Sequence, residues 1–92
     1  MIALVKILRV EPLGGHRLRV AFSDGMVGDY DFGPDLAVGG SMIEPLRDPA
    51  FFARAFIELG ALAWPNGYDV DPIALHADMR EAGLLRRGAD AA

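Results

Sequence analysis

The sequence predicts a single α+β domain with a mainly antiparallel sheet of four to five short strands, two short helices and one helical turn. Three observations lead to this prediction. Residues 17–22 and 26–32 alternate apolar and polar side chains around a short turn, which is typical of a hairpin with one buried face. A second, tighter hairpin pattern surrounds Gly60. Asp-Pro pairs at 48–49 and 71–72 mark helix starts, because aspartate caps a helix and proline fits its first position.

The first strand is expected over residues 3–11, a nearly continuous apolar run interrupted by Lys6 and Arg9. A run of this kind is typical of a strand that is covered on both faces, so we expect an interior position in the sheet. The glycine pair Gly14-Gly15 then predicts a turn into the next strand.

The loop between strands 17–22 and 26–32 decides how the two strands pair. A two-residue loop would place Val20 opposite Asp29 and so join a buried face to a solvent-facing one. A three-residue loop brings apolar residues opposite apolar ones and predicts a type I turn with Gly25 in a left-handed conformation. The same register predicts two cross-strand ion pairs, Arg19 with Asp29 and Arg17 with Asp31.

The remaining elements are short helices and the second hairpin. One helical turn is expected at 33–36, and a helix capped by Asp48 runs to about Ala55. The last helix is expected over 72–82, ending at Gly83, with an apolar stripe of Leu75, Met79 and Ala82. The domain therefore extends over 1–83, and residues 84–92 are predicted to be a flexible C-terminal tail.

Composition and charge narrow the classes of function. The chain has 92 residues, no cysteine, a hydrophobic content of 52% and a formal net charge of −4. Without cysteine, disulfides and the usual cysteine zinc sites are excluded. The acidic charge disfavours direct nucleic-acid binding, and no apolar run is long enough to span a membrane. Without a basic leader we expect a cytoplasmic protein, and the apolar content favours a homodimer or a small protein partner.

The densest local signal is the segment Trp64-Pro65-Asn66-Gly67-Tyr68-Asp69-Val70-Asp71-Pro72. Its turn and capping residues predict a chain reversal followed by a helix start. We expect Trp64 in the core, Asp69 accepting N–H bonds that hold the turn, and Asp71 capping the last helix. Tyr68 either covers the turn or faces a partner. The residues of this segment are therefore candidates for a structural role or for an interaction.

Several motifs of the chain occur in a characteristic order: Phe22-Ser23-Asp24-Gly25, Tyr30-Asp31-Phe32, Pro45–Phe52 and Trp64-Pro65-Asn66-Gly67, followed by Asp69, Pro72 and Leu75. Together they resemble a family of small bacterial proteins, the domain-of-unknown-function family 2442 (DUF2442). The resemblance runs from about Val5 to about Met79, and His76 stands where the family usually has tyrosine. It implies an α+β fold with a mainly antiparallel sheet and implies no reaction. Gene pairs and fused helix-turn-helix domains among members imply regulation through a partner.

Catalytic and metal-binding alternatives are weaker in this sequence. Asp29 with Asp31, or Asp69 with Asp71, would each present two carboxylates on one side of an extended chain, but arginines and a helix N-terminus explain them better. A hydrolase would need a histidine beside a nucleophile. The candidates are His16 at a turn, His76 at the edge of the helix stripe, and the serines Ser23 and Ser41.

The sequence thus favours a non-enzymatic interaction or regulatory module without cofactor, catalytic residue or metal. The alternatives are an antitoxin-like or transcription-linked component acting through a partner protein, and a small hydrolase or metal-dependent enzyme. The residues proposed to serve structure or interaction are Trp64, Pro65, Asn66, Gly67, Tyr68, Asp69 and Asp71.

Overall fold

A computed structural model describes residues 4–88 of the chain and confirms the α+β class. Two antiparallel sheets, rather than one, pack with short helices around one core. The first sheet has the order β1-β2-β3-β7, and the second has the order β4-β5-β6. The strands are β1 Ile7–Gly14, β2 Arg17–Phe22, β3 Met26–Asp31, β4 Phe56–Glu58, β5 Ala61–Ala63, β6 Asp69–Val70 and β7 Arg86–Arg87. The helices are α1 Gly33–Leu36, a 3-10 turn Glu44–Arg47, α2 Pro49–Phe52 and α3 Pro72–Glu81.

The β2–β3 hairpin has the register that the alternation predicts. Val20 lies opposite Gly28 and Leu18 opposite Tyr30, and Arg19 faces Asp29. Gly25 closes the turn with φ +87°, a left-handed conformation that glycine adopts without steric cost. One side of β2 is therefore fully buried, and its arginine side is turned away from the core.

The position of β1 differs from the prediction, because β1 lies at the edge of its sheet and not in the interior. The strand begins at Ile7, and most of its residues are exposed. Pro12 has no N–H to donate to a further strand, and irregular pairing at both ends of β1 also blunts this edge. At its start, Ile7 N–H donates to the carbonyl of Gly60, which joins the two sheets.

The two later helices begin as predicted, and Gly83 also terminates α3 as predicted, but α2 ends earlier. Asp48 accepts the N–H of Ala50, and α2 ends at Phe52 rather than near Ala55. Asp71 caps α3 by accepting the N–H of Ile73 at 3.0 Å. Ala82, predicted to belong to the buried stripe of α3, is exposed. It is the C-cap residue, beyond the last turn that packs on the core.

The chain beyond α3 turns back onto the first sheet. Gly83 has φ +73°, and the N–H of Leu84 donates to the carbonyl of Met79, the bonding pattern of a Schellman cap. This cap directs Arg86–Arg87 along β3 as the short strand β7. The tail that the sequence predicts to be flexible from residue 84 thus pairs with β3 at Arg86 and Arg87, and the N–H of Gly88 donates to the carbonyl of Gly25 in the turn before β3. Residues 89–92 lie outside the described residues.

The core is centred on an aromatic cluster under both sheets. The ring of Trp64 lies 5.5 Å from that of Phe52 and 6.1 Å from that of Phe32, between ring centroids. Fully buried aliphatic residues from β1, β2, β5 and α3 surround these rings. No helix in residues 4–88 is long and apolar enough to cross a membrane.

Candidate functional site

The turn segment has two aromatic residues: Trp64 lies in the core, and Tyr68 packs over it. Trp64 is 1% exposed, and its indole N–H donates to the carbonyl of Phe52 at 2.9 Å. The backbone N–H of Trp64 donates to the carbonyl of Tyr68, and the two ring centroids are 5.8 Å apart. Tyr68 therefore covers the turn as a half-buried ring, the first of its two predicted placements.

The turn between these aromatic residues is held by Asn66. Its amide NH₂ donates to the carbonyl of Met42 at 2.9 Å, and its side-chain oxygen accepts the N–H of Tyr68 at 3.3 Å. Gly67 has φ +93° and donates its N–H to the Trp64 carbonyl. Asp69 was predicted to accept the N–H bonds that hold this turn, but Asp69 is exposed in β6, and Asn66 holds the turn instead. Pro65, in the turn, is also exposed.

His76 and Asp24 form a contact that the sequence did not predict. The Nε2 atom of His76 lies 2.8 Å from Asp24 Oδ2, and the imidazole, 8% exposed, packs edge-on against Phe22. Because an ionised carboxylate only accepts hydrogen bonds, the ring nitrogen is the donor. Asp24 also accepts the N–H of Met26, so the pair fastens α3 to the β2–β3 turn.

The other nucleophile and base candidates are dispersed. Ser23 uses its hydroxyl oxygen to accept the N–H of Lys6 at 2.9 Å. His16 is half-buried, donates to the Arg47 carbonyl at 2.8 Å and packs against Phe52. Ser41 is exposed in the loop before the 3-10 turn. Within residues 4–88, no group of three histidine, aspartate or glutamate side chains could hold a metal ion.

The outer face of the first sheet is the surface with the most distinctive chemistry. Paired residues on neighbouring strands share a face, and the registers align one residue from each strand: Arg9 with Ala21, Ala21 with Val27, and Val27 with Arg86. This arginine row has a guanidinium at each end and two small aliphatic side chains between. This row is on the face of the sheet opposite to the buried face of β2, so all four side chains point away from the core.

A second row of charged residues runs beside the first. Arg19 donates two hydrogen bonds to the carboxylate of Asp29, at 2.8 and 3.2 Å, and Arg86 approaches the same carboxylate to 4.0 Å. The hydrogen bonds from Arg19, and its positive charge, hold the pKa of Asp29 below its usual range. The same hydrogen bonds, together with the negative charge of Asp29, raise the pKa of Arg19. Arg17, opposite Asp31 in the register, also lowers the pKa of Asp29 by its charge.

These rows border an open groove of about 880 Å³. We name it the arginine groove: Arg9, Arg19, Arg86 and Arg87 around a floor of Ala21 and Val27. Four of the nine basic residues of an acidic chain thus line one concavity, together with Asp24 from the turn. The sequence alone did not indicate this groove, since nothing local shows that β7 lies across the sheet from β1.

A second exposed feature lies at the tip of the β4–β5 hairpin. Leu59 is 99% exposed and has φ +53°, in a two-residue turn of the type that favours asparagine or glycine. The side chain of Lys6 packs close to Gly60 in the same turn. A fully exposed leucine thus occupies a turn position that is unfavourable for it.

Comparison with known proteins gives one match. The model of a family described as "Protein of unknown function (DUF2442)" matches residues 7–81, most of the chain. No curated protein and no solved structure matches the sequence.

Proposed function

Since the chain belongs to the DUF2442 family of proteins of unknown function, we propose a function from its own surface: a non-enzymatic module that binds a partner protein through the arginine groove. The observation that carries this proposal is the arginine row, in which strand pairing sets Arg9 and Arg86 on either side of Ala21 and Val27. Arginine is enriched in the central parts of protein interfaces, where its planar guanidinium bonds carboxylates in pairs.

The setting of the groove supports a binding role. Its side chains rise from paired strands, and a rigid platform lowers the entropy cost of forming an interface. The Arg19–Asp29 bonds fix one side of the groove, and Asp24 is held by His76 at its end. The turn segment from Trp64 to Asp71 serves to build the core and to start α3. The module works in the cytoplasm, in keeping with a chain that has no cysteine.

An antitoxin-like or transcription-linked role uses the same surface, with the product of a neighbouring gene as the partner. The test is co-purification of the tagged full chain with that product, for the parent and for two variants. Arg86→Gln/Arg87→Gln removes charge from the groove, and Arg80→Gln removes charge from the exposed side of α3. We expect the parent and Arg80→Gln to retain the partner and the groove variant to lose it. Equal retention by all three proteins would refute this function.

A second candidate function, a small hydrolase, is favoured by the His76–Asp24 contact at 2.8 Å. A histidine oriented by a carboxylate is part of many nucleophilic sites. Ser23, the nearest serine in sequence, already accepts the Lys6 N–H, so we assign the pair a stabilising role. An assay of the parent and of His76→Gln with p-nitrophenyl esters and phosphates separates the binding module from the hydrolase. Turnover by the parent that His76→Gln abolishes would support the hydrolase.

A further inference from the structure

The pair Asn66-Gly67 forms a reactive site in the turn segment, away from the arginine groove. A glycine has no Cβ to shield its backbone nitrogen, so this nitrogen reaches the side-chain carbonyl carbon of a preceding asparagine with little hindrance. We propose that Asn66 is a deamidation site, at which water replaces the side-chain amide, and that the loss of this amide releases the loop 38–42 from the turn.

The reaction consumes water and releases ammonia. The backbone nitrogen of Gly67 attacks Cγ of Asn66, and the new N–Cγ bond closes a cyclic imide. The Cγ–Nδ2 bond breaks, and the amide leaves as ammonia together with the proton of the Gly67 N–H. Water then opens the imide at either of its carbonyls, which gives an aspartate or an isoaspartate at this position. No oxidant or reductant takes part.

In the folded chain, the reacting groups are all engaged in hydrogen bonds. The N–H of Gly67 donates to the carbonyl of Trp64 at 3.0 Å. The amide nitrogen of Asn66 donates to the carbonyl of Met42 at 2.9 Å, and the amide oxygen accepts the N–H of Tyr68 at 3.3 Å. Because the attacking nitrogen has to give up its proton, attack costs at least the bond to Trp64. The reaction therefore runs through an opened turn.

The surroundings of the turn allow it to open while the core stays folded. Pro65 and Gly67 are exposed, and Met42, which accepts the amide bond, is 45% exposed. The loop that carries Met42 bends at Gly39 and Gly40, with φ +85° and +127°. Segments whose hydrogen bonds lie at the surface open at the lowest free energies. We therefore expect deamidation in the folded protein, at a rate set by this local opening.

Deamidation removes the bond that joins the turn to the loop. The amide nitrogen donates to the Met42 carbonyl, whereas a carboxylate only accepts hydrogen bonds. A carboxylate here faces the Met42 carbonyl oxygen as a second acceptor, so the loop separates from the turn. The loop then keeps local bonds, in which the N–H groups of Ile43 and Glu44 donate to the carbonyl of Gly40. The change is one-way, because ammonia is lost.

The pair Asp24-Gly25 provides an internal comparison. Its glycine N–H donates to the carbonyl of Phe22 at 3.1 Å, the same bonding as in the turn 64–67. Its side chain is a carboxylate, whose negative charge opposes nucleophilic attack and which has no ammonia to release. The carboxylate is also held by His76 at 2.8 Å. We expect Asn66 to react first for these reasons.

The test follows the full chain by peptide mapping and mass spectrometry during incubation at mildly alkaline pH, in water enriched in the heavy oxygen isotope. The isotope should enter at position 66, and earlier than at position 24. Deamidation of the folded chain should be at least about tenfold slower than that of the chain unfolded in urea, where the bonds of the turn are absent.

Two glycine variants test whether the loop controls the reaction. Gly40→Ala and its matched control Gly14→Ala each place a methyl at a positive φ, +127° and +103°, with no atom within 4 Å of it. Both lose stability for the same reason, but only Gly40 lies in the loop that Asn66 holds. We expect Gly40→Ala to deamidate about fivefold faster than the parent and Gly14→Ala to deamidate at the parent rate.

A further variant tests the consequence of the reaction. Asn66→Asp puts the carboxylate of one product at this position. Hydrogen exchange of the Ile43 and Glu44 N–H groups should accelerate about fivefold in this variant, because the loop has lost its tether. Asp69→Asn, the reverse change at an exposed position nearby, should leave their exchange unchanged.

The opposite results are distinct. Equal deamidation rates in the folded and unfolded chains, or equal acceleration by the two glycine variants, would overturn control by the loop. A folded chain that keeps its amide while the unfolded chain loses it would overturn the site, and so would earlier labelling at position 24. Unchanged exchange in Asn66→Asp would overturn the release. If Gly40→Ala does not fold, the urea dependence of the parent decides: a rate nearly constant at low urea supports local opening, and a rate that follows global unfolding rejects it.

Discussion

Asn66 connects two loops that lie far apart in the sequence, since its side chain bonds Met42 and the backbone of Tyr68. Asp69, three residues later, is exposed and lies on the edge strand β6. We expect Asn66→Ala to lower the free energy of unfolding by about 1–2 kcal/mol, because it leaves bonding groups without partners. Asp69→Ala, the matched control, should change it by less than about 0.5 kcal/mol. Chemical denaturation measures both, and a larger loss for Asp69→Ala would contradict our assignment.

Tyr30 provides a pH-dependent contribution to stability. Its hydroxyl donates to Asp35 at 3.1 Å, and burial first, with this bond second, raises the pKa of Tyr30 to about 12. Below the unfolded value of about 10, both states keep the proton and the contribution is complete. As the pH rises from about 10 towards 12, the unfolded chain loses its proton first, so stability falls.

The corresponding measurement is the free energy of unfolding of the parent and of Tyr30→Phe across this alkaline range. Phenylalanine has no hydroxyl proton to lose, so the stability advantage of the parent over the variant should shrink as the pH rises. If the curves of unfolding free energy against pH stay parallel for the two proteins, Tyr30 has the same pKa in the folded and unfolded states, which would contradict this prediction.

At the scale of elements, β7 depends on a close approach at Gly28. A Cβ on Gly28 would lie 2.5 Å from the carbonyl oxygen of Leu84 and 2.8 Å from Met79 Cε. Gly28→Ala must therefore push the segment after α3 away from β3, at a cost of about 1–3 kcal/mol. We expect hydrogen exchange of the Gly88 N–H, which bonds the Gly25 carbonyl, to accelerate. In the control Gly88→Ala, the nearest contact of the added methyl is 3.4 Å.

The elements that local sequence predicted are those whose causes are local. The β2–β3 register follows from alternation and one glycine, and the starts of α2 and α3 follow from Asp-Pro pairs. The edge position of β1 and the existence of β7 depend on contacts between distant segments, which a single sequence does not display. The same holds for the His76–Asp24 contact, whose residues are 52 apart in the chain.

The candidate site was missed for a related reason. The sequence directed attention to the residues from Trp64 to Asp71, because turn and capping residues are the strongest local signals. Those residues turned out to build the fold. The arginine groove is assembled from four strands, and its pattern becomes visible only when the strand registers place Arg9 and Arg86 in one row.

At the scale of the whole molecule, we expect the chain to associate as a homodimer through the exposed Leu59 at the tip of the β4–β5 hairpin. A leucine at φ +53° is unfavourable for the turn and fully exposed. Leu59→Asn should therefore raise the free energy of unfolding of the monomer, by up to about 1 kcal/mol, and weaken association. Sedimentation over a wide concentration range measures association. A parent that stays monomeric at high micromolar concentration would contradict this prediction.

The central claim is that the outer face of the first sheet, and not the segment from Trp64 to Asp71, meets the partner protein. The most direct measurement is the change in backbone amide NMR resonances of the labelled full chain when the unlabelled product of the neighbouring gene is added. The largest changes should fall on Ala21, Val27 and Arg86, with little change at Asn66. Changes concentrated on the turn segment, with the sheet face unperturbed, would contradict it.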